Sequence, residues 1–237
     1  MHAAVYTAIF GGYDTLKQPP RQDESCDFIC FTDGKMPSRI GAWRVIHVKT
    51  DHRVHPRIQA KRFKILSHRI FPARRLARRY PRSALRRRVD LSIWVDASLQ
   101  IKSATFAKDM RNTLGAGDWG MFVHPDRDCI YDEATVSITM PKYQHAPILP
   151  QVEAYRSVVP PHSGLYACTV IIRREPSPER LKRAHELWWK ANVTWTYQDQ
   201  LSLPFVLRRV GGCDPVGIVD SLWQNRWFDF LAHNSDA

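Results

Sequence analysis

Apolar residues in this chain form short runs that alternate with stretches of helical periodicity. Six runs predict strands, at 3–10, 27–32, 43–48, 91–95, 119–123 and 167–172. Strands buried on both faces of a parallel sheet are such near-continuous hydrophobic segments. Four stretches with apolar positions spaced as on one helix face predict helices, at 56–68, 105–114, 177–189 and 198–210. This alternation predicts an α/β fold with a mainly parallel, mixed central sheet flanked by helices.

Local signals mark the ends of several elements. Pro56 stands at the start of the first predicted helix, and Ser177 suits the N-cap of the third, with Pro178 in its first turn. Gly11 and Gly12 close the first predicted strand. Glycine permits a sharp turn and a close approach of the backbone to a ligand, but such pairs are also common in ordinary turns.

Two aspartates stand at element ends where ligands collect. Asp96 ends the apolar run 91–95, and in open α/β sheets ligands bind beyond the carboxyl ends of the strands. Asp96 is therefore either a metal or substrate ligand or a cap of the next turn. Asp199 stands at the start of the last predicted helix. Free backbone donors and the helix dipole favour a carboxylate there, so Asp199 is either a cap or a functional group.

Composition limits the class of protein. At 237 residues and 44% hydrophobic content, the chain can bury a substantial core, and we expect one domain over 1–237. No apolar run is long enough to span a bilayer and the N-terminus leads directly into strand-like sequence, so we expect residence in the cytoplasm. The five cysteines are odd in number and scattered, which predicts reduced, mostly buried thiols.

The formal net charge of +12 is concentrated in one insertion. Nine of the twelve excess positive charges are arginines between Arg69 and Arg88, where no acidic residue occurs. The segment is either a solvated loop or a docking element for an anionic membrane or polymer, which would place the protein at the inner face of the membrane. No helix-turn-helix or zinc finger accompanies the charge, which argues against a specific nucleic-acid partner. A non-catalytic adaptor acting through these arginines is the alternative to an enzyme.

Five motifs resemble one known family in order along the chain. They are Val5-Tyr6-Thr7-Ala8-Ile9-Phe10-Gly11-Gly12-Tyr13-Asp14, Cys30-Phe31-Thr32-Asp33, Arg62-Phe63-Lys64-Ile65-Leu66, Ile93-Trp94-Val95-Asp96-Ala97 and Asp199-Gln200-Leu201-Ser202. This order resembles the glycosyltransferase-like family catalogued as domain of unknown function 616. More distantly, it is similar to the family 8 glycosyltransferases. The resemblance implies a GT-A-like (Rossmann-like) domain, a nucleotide-sugar donor and Mn²⁺ or Mg²⁺.

The resemblance also implies a donor site. Its nucleotide-sugar-binding residues are Tyr6, Thr7, Ala8, Tyr13, Asp14, Arg62, Lys64, Asp96, Ala97 and Ser98. In such enzymes a divalent cation neutralises the diphosphate leaving group, and Asp96 with His233 is implied as its protein ligand set. Ser98 stands where the GT-A pattern has a second aspartate. A hydroxyl binds such metals more weakly than a carboxylate, so the metal either arrives with the nucleotide or is dispensable.

The catalytic residues follow from the same resemblance. Asp199 and Gln200 are implied to lie by the reacting carbon of the sugar, with Asp199 binding sugar hydroxyls or acting as a base. Acceptor or phosphate contacts are expected from His124 and Arg127, just past a predicted strand, and acceptor contacts from His162 and Gly164. The predicted function is metal-assisted transfer of a sugar, from a donor expected to be a uridine diphosphate sugar, to a saccharide or lipid-linked acceptor.

Overall fold

The computed structural model describes residues 1–71 and 88–231. Its strands are β1 (Ala3–Ile9), β2 (Cys26–Thr32), β3 (Arg39–Ile40), β4 (Trp43–His47), β5 (Leu91–Val95), β6 (Leu99–Ile101), β7 (Trp119–Val123), β8 (Tyr166–Arg174), β9 (Val216–Ile218) and β10 (Phe228–Phe230). Its α-helices are α1 (Pro56–Ile65), α2 (Phe106–Leu114), α3 (Ile130–Ser137), α4 (Ile148–Tyr155), α5 (Glu179–Thr194) and α6 (Asp199–Val210). Short 3₁₀ turns lie at Ser67–Arg69 and Pro141–Tyr143.

Eight of these strands form the central sheet, in the order β3-β4-β2-β1-β5-β8-β7-β9. The pairs β4–β2, β2–β1, β1–β5 and β7–β9 are parallel, whereas β8 runs antiparallel to both β5 and β7, and β3 antiparallel to β4. Strands β6 and β10 form a separate antiparallel pair. The predicted α/β fold with a mainly parallel, mixed sheet is therefore confirmed.

The centre of the sheet is buried on both faces. Every residue of β1 and β5 is buried, which is why these segments are apolar without alternation. On one face, Tyr6 and Trp94 pack edge to face and belong to the same core as Trp188 of α5. On the other, Val5 and Ile93 belong to the core formed with α2. The end of β5, where Asp96 follows, therefore lies in the middle of the layered structure.

All six predicted strands and four predicted helices overlap observed elements, with differences at the ends. The first helix stops at Ile65 and continues as a 3₁₀ turn. The predicted N-cap Ser177 is wrong: Pro178 takes that position, and the Ser177 hydroxyl donates to Glu175 Oε2 at 3.4 Å. Helices α3 and α4 were not predicted, because eight residues each are too few for a clear period.

The cysteine prediction is confirmed. All five cysteines are free thiols, and Cys30, Cys129 and Cys168 are buried. Within the described ranges, no helix combines the length and the apolar character needed to cross a membrane.

A buried histidine makes this fold sensitive to acid. His185 of α5 is fully buried, and its Nε2 accepts a hydrogen bond from Arg173 Nε at 3.2 Å. Burial lowers the pKa of His185 well below 6.5, and the charge of Arg173 lowers it further. A depressed histidine pKa contributes stability that is complete above the unfolded value and lost as the pH falls through the folded one. We therefore expect the Tm to decrease below about pH 6.5.

The variant His185→Gln tests this expectation, because glutamine still offers Arg173 an acceptor but takes up no proton. Its Tm should depend less on pH between about 7 and 5 than that of the wild type. The exposed His145 provides the matched control, His145→Gln. Equal pH dependence of the Tm in all three proteins would contradict the assignment to His185.

Candidate functional site

A cavity of about 750 Å³ opens at the carboxyl ends of β1, β5 and β7. Because β8 runs antiparallel, its first residues lie at the same edge of the sheet. The polar lining consists of Tyr13, Asp14, His55, Arg57, Lys61, Lys64, Asp96, Ser98, His124, Asp126, Arg127, Glu133, Lys142, Tyr143, Thr169, Tyr197, Gln198, Asp199 and Gln200. The volume lies within the range of small-molecule sites.

Four charged side chains, Lys61, Lys64, Asp96 and Asp199, form a lysine–aspartate cluster on the cavity wall. Asp199 Oδ2 lies 2.6 Å from Lys61 Nζ and 2.8 Å from Lys64 Nζ. Lys64 Nζ also lies 3.2 Å from Asp96 Oδ1. Only 2% of the Lys64 side chain and 4% of the Asp199 side chain are exposed. The two lysines reach the cluster together because residues three apart share one face of α1.

This cluster keeps Asp199 ionised. Burial by itself would raise the pKa of Asp199, but the ammonium groups of Lys61 and Lys64 lower it to about 2. Conversely, burial opposes the charge of Lys64, but the carboxylates of Asp199 and Asp96 raise the pKa of Lys64 above its ordinary range. A carboxylate with so low a pKa is a poor general base at neutral pH, since a catalytic base works best with a pKa near the working pH.

Neither aspartate caps a helix. Asp199 is the first residue of α6 and Gln198 is the N-cap, without a side-chain capping bond. Asp96 follows β5, and its Oδ1 accepts from Trp94 Nε1 at 2.7 Å as well as from Lys64. The carboxylates of Asp96 and Asp199 therefore form ion pairs inside the cavity instead of capping a helix or turn.

The described residues around Asp96 do not fit a resident divalent ion. Lys64 already pairs with Asp96 Oδ1. Among the described residues, the one group of three side chains of metal-binding type is elsewhere and excludes Asp96. The other predicted ligand, His233, lies outside the described residues. Mn²⁺ or Mg²⁺ at this site therefore stays a prediction of the resemblance.

Aromatic and basic groups line the cavity beside the end of β1. The Arg57 guanidinium lies 4.4 Å from the centroid of the Tyr13 ring and 5.7 Å from that of Tyr197. Asp14 is buried and pairs with Lys17 Nζ at 2.6 Å. This part of the wall presents flat rings and a carboxylate within one continuous cavity.

The opposite wall is organised by the buried carboxylate of Glu133. Its Oε2 lies 2.6 Å from Arg127 Nε and 3.6 Å from His124 Nε2. Its Oε1 accepts from Gln198 Nε2 at 2.9 Å. Since Gln198 directly precedes Asp199, this network joins the 124–127 loop to the lysine–aspartate cluster.

The structure brings most of the predicted site residues together. Those that line the cavity are Ala8, Tyr13, Asp14, Lys64, Asp96, Ala97, Ser98, His124, Arg127, Asp199 and Gln200. Gly164 instead lines a smaller cleft of about 350 Å³, which shares His124 and Arg127 with the main cavity. His162 is exposed and pairs with Asp128, Nδ1 to Oδ1 at 2.8 Å.

Three predicted donor-site residues do not reach the cavity, which corrects the sequence prediction. Tyr6 and Thr7 lie within β1 and are buried, and the Tyr6 hydroxyl accepts from Arg173 Nη1 at 3.2 Å. Only the last part of a strand reaches the edge of the sheet, so Ala8 lines the cavity whereas Tyr6 and Thr7 do not. Arg62 is exposed, because the cavity face of α1 carries residues 57, 60, 61 and 64.

Several lining residues were missed from the sequence: Arg57, Lys61, Lys142, Gln198 and Trp223. Helical spacing from Lys64 points to Lys61 and Arg57, whereas no local pattern marks Lys142 or Trp223. Trp188 of α5 is fully buried and does not line the cavity, and its Nε1 donates to the Asp199 carbonyl at 3.0 Å.

Comparison with known proteins adds one match. Residues 1–219 match the family described as TOD1/MUCI70, glycosyltransferase-like domain. No curated protein matches the chain significantly. The matched range contains the whole lysine–aspartate cluster and all lining residues except Leu222, Trp223 and Phe230. The expectation of a glycosyltransferase-like family is thereby confirmed.

Proposed function

We propose that this chain, which belongs to the TOD1/MUCI70 glycosyltransferase-like family, transfers a sugar from a nucleotide-sugar donor to a saccharide or lipid-linked acceptor. The lysine–aspartate cluster is the observation that supports this proposal. In glycosyl transfer, an anionic phosphate leaves a sugar carbon that gains positive charge. A buried site that holds fixed ammonium and carboxylate groups side by side can stabilise both developing charges.

Basic residues in the cavity are suited to the diphosphate of the donor. Burial lowers the pKa of Lys61. At the rim, partial burial of the ammonium group and the charges of Lys61 and Arg57 lower the pKa of Lys142. Such mutual repulsion between cations is relieved by a bound anion. We therefore assign Lys61, Lys64 and Lys142 to neutralising the diphosphate.

The ionised Asp199 is suited to the sugar rather than to proton abstraction. With a pKa of about 2, it stays a carboxylate at any ordinary working pH. In our proposal it accepts hydrogen bonds from sugar hydroxyls and stabilises positive charge at the reacting carbon. Gln200, whose Nε2 donates to the Tyr166 carbonyl at 3.4 Å, lies next to it on the acceptor side.

The remaining walls of the cavity are suited to the nucleoside part of the donor and to the acceptor. Tyr13 and Asp14 lie beside the end of β1, and we assign them to the base and ribose of a uridine nucleotide. His124 and Arg127 form the acceptor wall together with Trp223, which is 55% exposed and lines the cavity. An accessible indole face packs well against the apolar face of a sugar ring.

A thermal-shift series tests the proposed donor. Uridine diphosphate, its sugars and other nucleotide sugars are each added with a chelator or with Mn²⁺, and the Tm is recorded. We expect uridine diphosphate compounds to raise the Tm, since a ligand at 100 times its Kd stabilises the native state by about 2.7 kcal/mol. Lys61→Met should reduce the shift, whereas Lys182→Met on the surface of α5 should preserve it.

The absence of a shift with every nucleotide, in chelator and in Mn²⁺ alike, would contradict the proposed donor. Shifts that require Mn²⁺ would support the metal expected from the family resemblance. Shifts that persist in chelator would support neutralisation by the lysines.

Docking of the arginine-rich insertion on an anionic membrane or polymer stays a prediction, because residues 72–87 lie outside the described part of the chain. At the start of the segment, Arg69 Nε donates to Glu186 Oε1 of α5 at 2.6 Å. This pair ties the beginning of the insertion to the body of the protein. The adaptor function has no support from the described residues, and we do not propose it.

A further inference from the structure

Three side chains of metal-binding type converge outside the cavity. One ligand atom each from Cys129, Asp132 and His162 lies within 4.8 Å of the other two. None of the three lines the cavity that contains the lysine–aspartate cluster. We propose that these side chains bind a Zn²⁺ ion. This proposal does not depend on the proposed transfer reaction.

The thiol of Cys129 is available as a ligand. Cys129 is 2% exposed and occupies the N-cap position of α3, where its side chain makes no capping hydrogen bond. The thiols of Cys26, Cys30 and Cys168 donate to backbone carbonyls at 3.6 to 3.7 Å. For Cys129, no such bond is found within the described residues. The Cys129 sulfur therefore makes no hydrogen bond to a described backbone carbonyl that a metal ion would have to displace.

His162 has the surroundings of a metal-binding histidine. Its Nδ1 lies 2.8 Å from Asp128 Oδ1, and a carboxylate bound to one ring nitrogen is the usual partner of a histidine that ligates metal through the other. His162 has a φ of 52°, a conformation uncommon for residues other than glycine. A backbone hydrogen bond from Gly164 N to Asp128 O, at 2.9 Å, holds the two loops together.

The ligand set selects the metal. A thiolate and an imidazole favour Zn²⁺, whereas Mn²⁺ and Mg²⁺ favour oxygen ligands. Three protein ligands leave one position of a tetrahedral zinc ion for water or another small ligand.

The ion would join the start of α3 to the loop that carries His162. Because α3 also carries Glu133, which pairs with Arg127 at 2.6 Å, the metal would hold the 124–127 loop in place. Zinc would thereby support the wall of the cavity that His124 and Arg127 form with Glu133.

Calorimetric titration of the chelator-treated full chain with Zn²⁺ tests the site. We expect one strong site per chain in the wild type. His162→Asn is the first variant, because asparagine tolerates the left-handed backbone but lacks the imidazole. Cys129→Ser is the second. Asp128→Asn removes only the supporting carboxylate and should raise the Kd about 10-fold to 100-fold. His162→Asn and Cys129→Ser, which each remove a ligand, should both raise the Kd for Zn²⁺ more than Asp128→Asn does.

Co²⁺ substitution supplies a second readout, since a cobalt–thiolate bond gives a charge-transfer absorption in the near ultraviolet. This band should be present in the wild type and in the control Cys213→Ser, and absent in Cys129→Ser. Failure of the wild type to bind Zn²⁺ at micromolar concentration would overturn the proposal. So would Zn²⁺ affinity that is unchanged in His162→Asn, an exposed position where the substitution leaves the core intact.

Discussion

Replacing Asp199 with asparagine is expected to lower the turnover of sugar transfer by about 10²-fold to 10³-fold, the usual effect of removing one fixed electrostatic group from a transition state. Asparagine preserves the shape of the side chain and removes only its charge. The lysines remain, so the affinity for uridine diphosphate should be equal or higher. Turnover of donor hydrolysis or transfer, measured beside calorimetry with uridine diphosphate, separates the two effects.

The stability of this variant should also fall. The pKa of Asp199 is lowered from 3.8 to about 2, so its ion pairs contribute stability that is complete above pH 3.8 and lost as the pH falls through about 2. A shift of this size corresponds to about 2 kcal/mol. Urea unfolding at pH 7 measures the loss, and Asp229→Asn, at an exposed aspartate paired with Lys102, is the matched control.

Two outcomes would contradict this role of Asp199. The first is wild-type turnover in Asp199→Asn. The second is a wild-type pH–rate profile whose acidic limb, between about pH 5 and 8, disappears in the variant. Such a limb would indicate a general base with a pKa near neutrality, which the contacts with Lys61 and Lys64 do not allow.

Replacing Lys64 with methionine is expected to weaken the binding of uridine diphosphate by about 2 to 5 kcal/mol, the range for loss of a buried charge partner. Methionine keeps an unbranched chain of similar length without the ammonium group. The same change leaves Asp96 and Asp199 less well neutralised, so the protein should also lose about 3 to 5 kcal/mol of stability. Calorimetry and urea unfolding measure the two losses.

A double variant, Lys64→Met with Asp96→Asn, separates these effects. It restores the balance of charge in the cluster, so stability should recover in part while nucleotide affinity stays low. Recovery of wild-type affinity in the double variant would show that Lys64 only balances Asp96 and does not bind the diphosphate. Lys102→Met is the matched control. It removes an exposed ion pair with Asp229 and should lower the free energy of unfolding by no more than about 1 kcal/mol.

The sequence by itself determined the strands at the centre of the sheet and the helices beside them. Residues of β1 and β5 are buried on both faces of the sheet, so the unbroken apolar sequence of each segment is enough to identify it as a central strand. A cavity also opens at the edge of the sheet where the sequence predicted a ligand site, because the polar residues that follow such strands meet at one edge. Asp96 was identified in this way, whereas Asp199 was identified from its position at the start of a helix and from the family motifs.

Only the tertiary structure decided which side chains share the cavity and in what state. The direction of β8 depends on its pairing with β5 and β7, which no local pattern encodes, and that direction brings its first residues to the cavity. The orientation of α1 places Lys61 inside and Arg62 outside. Asp199 receives its low pKa from lysines more than a hundred residues away in the chain, because pKa values depend on distances in space and on burial.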